Sequence, residues 1–308
     1  MRKLLVSLLA VCTLGAGGLA VSGCGADDAV AGLDVEKASA ATARKGTARI
    51  SLTTRVEGAG LPLPLEVKGK GVTSLKGAEG NLTLDLAPLL SLVGAGTGAG
   101  AGSGDLELRF SGADFFVRPP KLDQLEIPGG KPWVALDLAQ LAGALGLPTK
   151  GLGKLFTLEP TAQLRALKAA KGMKEVGEEE VAGVSTTHYR GTYKLADLTA
   201  TLPAGEKAEV TAAIEKLEAL GGGDAGLDEA VPTDVWVDED GVTRRMVSTS
   251  TLPAQSGQPG GKVSTSYELS DFGVALDAAA PPAGEIYDAT RVVTDALRQL
   301  ARAGTTAG

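Results

Sequence analysis

Thr47-Ala48-Arg49-Ile50-Ser51-Leu52-Thr53-Thr54-Arg55-Val56 alternates without a break. Ala48, Ile50, Leu52, Thr54 and Val56 fall on one side of an extended chain, and Thr47, Arg49, Ser51, Thr53 and Arg55 on the other. A period of two marks a strand with one face in a core and the other toward water. The alternation returns in Leu65–Lys76, Asn81–Leu86, Asp105–Phe110, Ala113–Arg118, Trp133–Asp137, Val184–Leu195, Val231–Asp238, Val242–Thr251 and Lys262–Ser270. Asp238-Glu239-Asp240-Gly241 reads as a turn between two of these runs, so Val231–Thr251 is expected to be a hairpin. Connections this short favour an antiparallel meander, with one sheet serving the whole body.

Helices are few. Leu33–Lys45 is Ala-rich and helix-compatible, and Glu206–Leu220 puts Val210, Ala213, Ile214, Leu217 and Leu220 on one stripe. Ile286–Ala301 does the same with Ala289, Val293, Ala296, Leu297 and Leu300, and Thr161–Lys171 is entered through Pro160. Leu86–Val93 and Leu138–Leu147 differ in being apolar nearly all round. A surface helix would carry a polar face, so these two are expected as inserts against the concave side of the sheet or as lids over it.

The chain has 308 residues, 43 of them Gly, yet only 4% are aromatic. Glycine is concentrated in Gly94–Gly104, a flexible loop, and again at Gly221–Gly226. No register of the first stretch gives G-x-G-x-x-G, and it leads into a strand rather than a helix, which argues against a phosphate cradle.

Residues 1–23 read as an export signal: Arg2 and Lys3 lead an apolar run from Leu4 to Leu19 that is short and Gly-interrupted for a membrane span. Without Arg2 and Lys3, 28 basic side chains face 37 acidic ones, a net charge of −9. That charge, with no basic stripe, is wrong for nucleic acid, so none is expected as a partner. Cys12 lies inside the signal, which leaves Cys24 as the mature chain's one cysteine beside a single His188. An intramolecular disulfide and a Cys/His zinc site are therefore both excluded, and neither metal nor cofactor is expected.

Catalytic readings fail for lack of parts. His188 shares its strand face with Arg190, Thr192 and Lys194, opposite Tyr189, Tyr193 and Leu195, and is expected to face solvent. No G-x-S-x-G elbow is present. Glu178-Glu179-Glu180 and Asp238-Glu239-Asp240 read as solvated charge runs flanking strands. Arg244-Arg245 is expected to form cross-strand ion pairs. No catalytic residue is assigned and no enzyme is expected; an envelope hydrolase built on His188 ranks behind the binding functions below.

Val21-Ser22-Gly23-Cys24 resembles the lipobox of bacterial lipoproteins. The resemblance implies that Cys24 is acylated and becomes the mature N-terminus, palmitate included, on the outer face of the cytoplasmic membrane. Two or more acyl chains anchor far more firmly than one, at ~0.8 kcal/mol per buried methylene. Residues 24–46 then form a tether and N-terminal helix, and residues 47–308 the folded body. The eight residues Gly25–Gly32 reach at most ~3.3–3.6 Å each, which holds the body close to the lipid.

Three further segments resemble the LppX/LprA/LprF/LprG group of actinobacterial lipoproteins, within the LolA-like superfamily. They are Gly183-Val184-Ser185-Thr186-Thr187-His188-Tyr189-Arg190-Gly191-Thr192, then Val235-Trp236-Val237-Asp238-Glu239-Asp240-Gly241-Val242-Thr243-Arg244-Arg245, and Tyr267–Gly273 followed by Pro281-Pro282. The resemblance implies an α+β fold: one strongly curved antiparallel β half-barrel with helices packed in or over its concave face. It also implies carriage of lipid or lipoglycan acyl chains between sheet and helices, at the membrane and in the cell envelope. Cargo and lid contacts are expected from Leu86, Leu89, Leu90, Leu92 and Val93 on the first insert and Leu138, Leu141 and Leu145 on the second. Phe115, Trp133, Tyr189 and Tyr193 are expected on the sheet side, with Arg118 and Lys121 as head-group partners. The alternative is a protein-interaction or envelope-sensor module on the same fold, with an envelope protein as its partner and no lipid cargo.

Overall fold

The computed structural model describes residues 33–92, 104–120, 127–144, 173–194, 207–208, 211–212, 229–252 and 259–296. Among these residues, twelve strands form one open sheet. Six lie before the long central segment: β1 (Thr47–Gly58), β2 (Leu65–Ser74), β3 (Glu79–Asp85), β4 (Asp105–Ser111), β5 (Asp114–Arg118) and β6 (Trp133–Asp137). Six follow it: β7 (Lys174–Val181), β8 (Val184–Lys194), β9 (Ala230–Asp238), β10 (Thr243–Leu252), β11 (Gly261–Ser270) and β12 (Ile286–Asp288). Among the described residues the α-helices include α1 (Val35–Arg44), α2 (Ala87–Leu92) and α3 (Leu138–Ala144), and residues 290–296 are also helical. The helices expected at Thr161–Lys171 and over most of Glu206–Leu220, and nearly all of the Gly94–Gly104 loop, lie outside the described residues.

The spatial order is β12-β6-β5-β4-β3-β2-β1-β11-β10-β9-β8-β7. Two meanders, β1 to β6 and β7 to β11, are joined where β1 pairs antiparallel with β11 over ten residue pairs. The expected hairpin forms: Gly241 N donates to Asp238 O and Val242 N to Asp238 Oδ1. The buried Asp238 carboxylate also accepts from Arg244 Nε at 2.7 Å.

Directly paired residues share a face, so register sorts the sheet into two surfaces. One row reads Tyr189–Val235–Met246–Tyr267–Leu52–Gly69–Leu84–Leu106 and crosses eight strands. The next row on that face reads Leu269–Ile50–Gly71–Leu82–Leu108–Val117–Val134. The opposite face reads His188–Trp236–Arg245–Glu268–Ser51–Lys70–Thr83–Glu107–Arg118. The first face is the inner one, because α1 packs on it: Val35 and Ala38 join a core with Ala48, Ile50, Leu75, Val235, Val237 and Met246. Asp34 caps α1 by accepting from Lys37 N, and Thr243 N of β10 donates to Thr42 Oγ1 at 3.0 Å.

β2 approaches β3 closely at Gly71. A Cβ on Gly71 would land on the backbone carbonyl of Asn81, with Leu82 Cα only 2.9 Å away. Glycine inside a strand is the usual sign of such a close backbone approach or sharp bend.

Two expectations are corrected. Glu178–Glu180 is not a solvated turn but part of β7, an edge strand; charge on an edge hinders pairing with a further chain. Its hairpin to β8 turns on Ala182 and Gly183, both at positive φ (49° and 79°), the geometry of a two-residue turn. Likewise Ile286–Asp288 does not begin a helix; it adds in parallel to β6, and Ala289 N continues the pairing by donating to Ala135 O. Tertiary pairing overrides helical periodicity there, and helix resumes at 290, where Thr290 N donates to Asp288 Oδ1.

To reach β12 the chain after β11 crosses the outer face. Thr47 Oγ1 donates to Val274 O, Asn81 Nδ2 to Asp277 O and Arg109 Nη1 to Ala279 O, and Lys131 Nζ reaches Gly284 O. Residues 273–285 form a strap from the middle of the sheet to its edge.

Candidate functional site

The inner face is the strongest candidate for a binding surface. Its two apolar rows supply a floor in which Leu52, Leu84, Leu108, Val117 and Val134 are half-buried rather than closed over. α2 extends this floor by folding Leu86 and Leu90 onto Val67 and Leu106, beside Leu84, Leu108 and Val117. A hydroxyl row, Thr233–Ser248–Thr265–Thr54, crosses the same face beyond the apolar rows. Tyr193 lies next to it. Burial pushes its phenol pKa up, against the opposing pull of a hydrogen bond with Ser248. A narrow cleft between Ile50, Leu52, Leu82, Phe110 and Tyr267 encloses about 10 Å³, room for one water. The described residues thus supply a lined floor.

The residues singled out in the sequence divide between the faces. Leu86 and Leu90 are buried on the inner side, Leu89 and Leu138 are half-buried, Leu141 is buried, and Leu92 is 46% exposed. Phe115 is on the inner face, its ring 5.7 Å from that of Phe110, and Tyr189 and Tyr193 pack against the main core. Trp133 is corrected: it is on the outer face, beneath the guanidinium groups of Arg109 and Arg118 at 5.2 and 5.3 Å. Val117 pairs with Val134, so the neighbouring Trp133 must point the other way, a parity set by register and not legible in a five-residue strand. Arg118 is corrected with it: it is paired with Glu107 across β4 and β5 on the outer face, away from the inner floor. Cys24, Val93, Lys121 and Leu145 lie outside the described residues.

His188 is also corrected. It does take the outer face, but it is only 3% exposed. Nδ1 lies 2.9 Å from Glu179 Oε1 of β7, and Nε2 2.6 Å from Asp234 Oδ1 of β9. Trp236 stacks on the ring and donates its indole N–H to Glu179 Oε2 at 2.8 Å. That indole bond first, with His188 and Arg245 adding to it, holds the Glu179 carboxyl below the usual glutamate range. Arg190 donates to Asp234 and Arg245 to Glu268, the latter a cross-strand pair as expected. With a carboxylate at each ring nitrogen, His188 has neither left to activate a hydroxyl, so the cluster acts as a clamp tying β7 to β9 across β8. Sequence reading missed it because Trp236 sits in the continuous apolar run Val235-Trp236-Val237, where alternation gives no face.

No family model matches the sequence. Among curated proteins, the chain is 31% identical over 163 residues to an uncharacterised 31.2 kDa protein from the rplA–rplJ intergenic region of Streptomyces griseus. The match covers 52% of this chain and 49% of that protein, so the chain spans about half the length of the relative. Similar solved structures include LprF from Mycobacterium bovis, at 14% identity over 80% of this chain and 94% of that one, with a TM-score of 0.41. They also include the lipoprotein LppX from Mycobacterium tuberculosis, at 15% identity, 77% and 92% coverage and a TM-score of 0.37. LprF and LppX are two of the proteins that the sequence motifs resemble.

Proposed function

We propose that this chain is an extracytoplasmic lipoprotein, anchored through Cys24, that holds the acyl chains of a lipid or lipoglycan against the inner face of its sheet. The observation that carries the reading is the pair of apolar rows, which run unbroken by charge from Tyr189 to Leu106 and from Leu269 to Val134. An acyl chain needs a long apolar surface and almost no directional chemistry. The half-buried leucines along these rows provide that surface, and the hydroxyl row beside Tyr193 offers polar contacts where a chain would meet its head group. The motif resemblance to LppX- and LprG-type lipoproteins and the lipobox at Cys24 support the same reading.

Native mass spectrometry of the protein purified from membranes tests it. Adducts that extract as intact lipid support carriage. Protein that is consistently free of lipid, with a filled core, supports the interaction-module reading, which the narrowness of the cleft beside Tyr267 favours.

A further inference from the structure

We propose that the β1–β2 hairpin is a docking tip that inserts Leu61 and Leu63 into a lipid bilayer. The tip reads Gly58-Ala59-Gly60-Leu61-Pro62-Leu63-Pro64-Leu65, and Leu63 is 76% exposed. An exposed leucine alone means little; the backbone around this one is what points to hydrocarbon. Leu61 N donates to Gly58 O and Ala59 N to Gly260 O, both at 2.9 Å, while Pro62 and Pro64 carry no N–H at all. Four of the six positions from 59 to 64 therefore bring no unmet donor into a medium that cannot supply a partner.

The surrounding charge fits a lipid surface. On the rungs nearest the tip, Arg55, Lys68 and Lys262 stand with Glu57, Glu66 and Asp85, so this end of the sheet is balanced to zero on a chain of −7. Arg55 pairs with both glutamates, at 2.7 and 3.8 Å, and Lys68 with Glu66 at 3.0 Å, so neither glutamate repels an anionic head group unopposed. Leu92 of α2 is exposed at the same end of the sheet, because β3 returns there at Asp85 opposite Lys68. Two leucines and two prolines form a patch far below the roughly 1,000 Å² that a specific protein interface needs. Shallow insertion into a bilayer needs no such area, and a body kept near the membrane would make it repeatedly. The proposal holds with or without lipid cargo on the inner face.

The test uses the full chain with Cys12→Ser and Cys24→Ser, a C-terminal histidine tag, and one environment-sensitive fluorophore attached through Leu63→Cys or, as the control, through Lys70→Cys on the outer face of β2. The tag holds the protein on vesicles of phosphatidylglycerol, phosphatidylethanolamine and a nickel-chelating lipid, so every molecule meets a bilayer. The label at position 63 should blue-shift and be quenched by lipids carrying a doxyl group near the head group, and the label at position 70 should do neither. Adding Leu61→Ser should reduce the shift at position 63. A label at position 63 that remains aqueous on these vesicles overturns the proposal. A blue shift that appears without vesicles and grows with protein concentration also overturns it, because a second copy then covers the tip.

Discussion

The imidazole of His188 lies flat on the indole of Trp236, with ring centroids 4.2 Å apart and planes inclined by 10°. They are direct partners on β8 and β9, and Glu179 of the edge strand reaches across to bond both rings. Among the described strands β7 pairs only with β8, and the clamp carries side-chain bonds from it on to β9. His188→Ala is expected to lower stability by roughly 1–3 kcal/mol, in the range for breaking a buried hydrogen-bonded group. Urea unfolding measures the loss, and hydrogen exchange should rise first in Lys174–Val181.

The same clamp fixes a pH response. The Glu179 carboxyl is held below its ordinary value near 4.5. A depressed carboxylate stabilises the fold fully above its unfolded value, and the contribution disappears as pH falls through the folded value. Acidification below about pH 4.5 should therefore loosen β7. Glu179→Gln should flatten the fall of the urea midpoint on that acid side; an unchanged acid slope would show that other carboxylates govern it.

Gly69 and Gly71 stand two residues apart on one face of β2, yet their replacement should differ sharply. A Cβ at Gly69 meets the tip of the Leu84 side chain at 2.5 Å, which can swing away. At Gly71 it meets the backbone of Asn81 and Leu82, which cannot. Gly71→Ala is expected to cost at least about 2 kcal/mol, near the upper part of the overpacking range, and Gly69→Ala under about 1 kcal/mol. Thermal unfolding of the two variants decides it, and equal losses would mean that β2 and β3 separate easily.

Strand alternation made most of this fold legible in the sequence. Val184–Lys194 matches the run read there as far as the described residues extend, and Gly261–Ser270 differs from its run by one residue at the start. What alternation could not give was the face of short strands: Trp133 and Arg118 belong to the outer surface because Val117 pairs with Val134, a fact of register. Nor could it reveal β7, whose run of glutamates looks like a solvated turn until β8 satisfies its backbone. The His188 clamp needs three strands in register at once, and nothing local to any one of them encodes it.

Cys24 carries the proposed anchor. Cys24→Ala should abolish acylation and processing at this site, leaving a heavier protein without palmitate label. Normally cleaved, membrane-held protein from the variant would contradict the lipobox reading.

Carriage of acyl chains on the inner face is tested most directly by a photoactivatable fatty acid supplied to the full chain, followed by mapping of its adducts. Adducts should fall on Leu52, Leu84, Leu108 and Val117, which share that face. Adducts confined to outer-face positions such as Lys70, Thr83 and Glu107, or none above background, would contradict it.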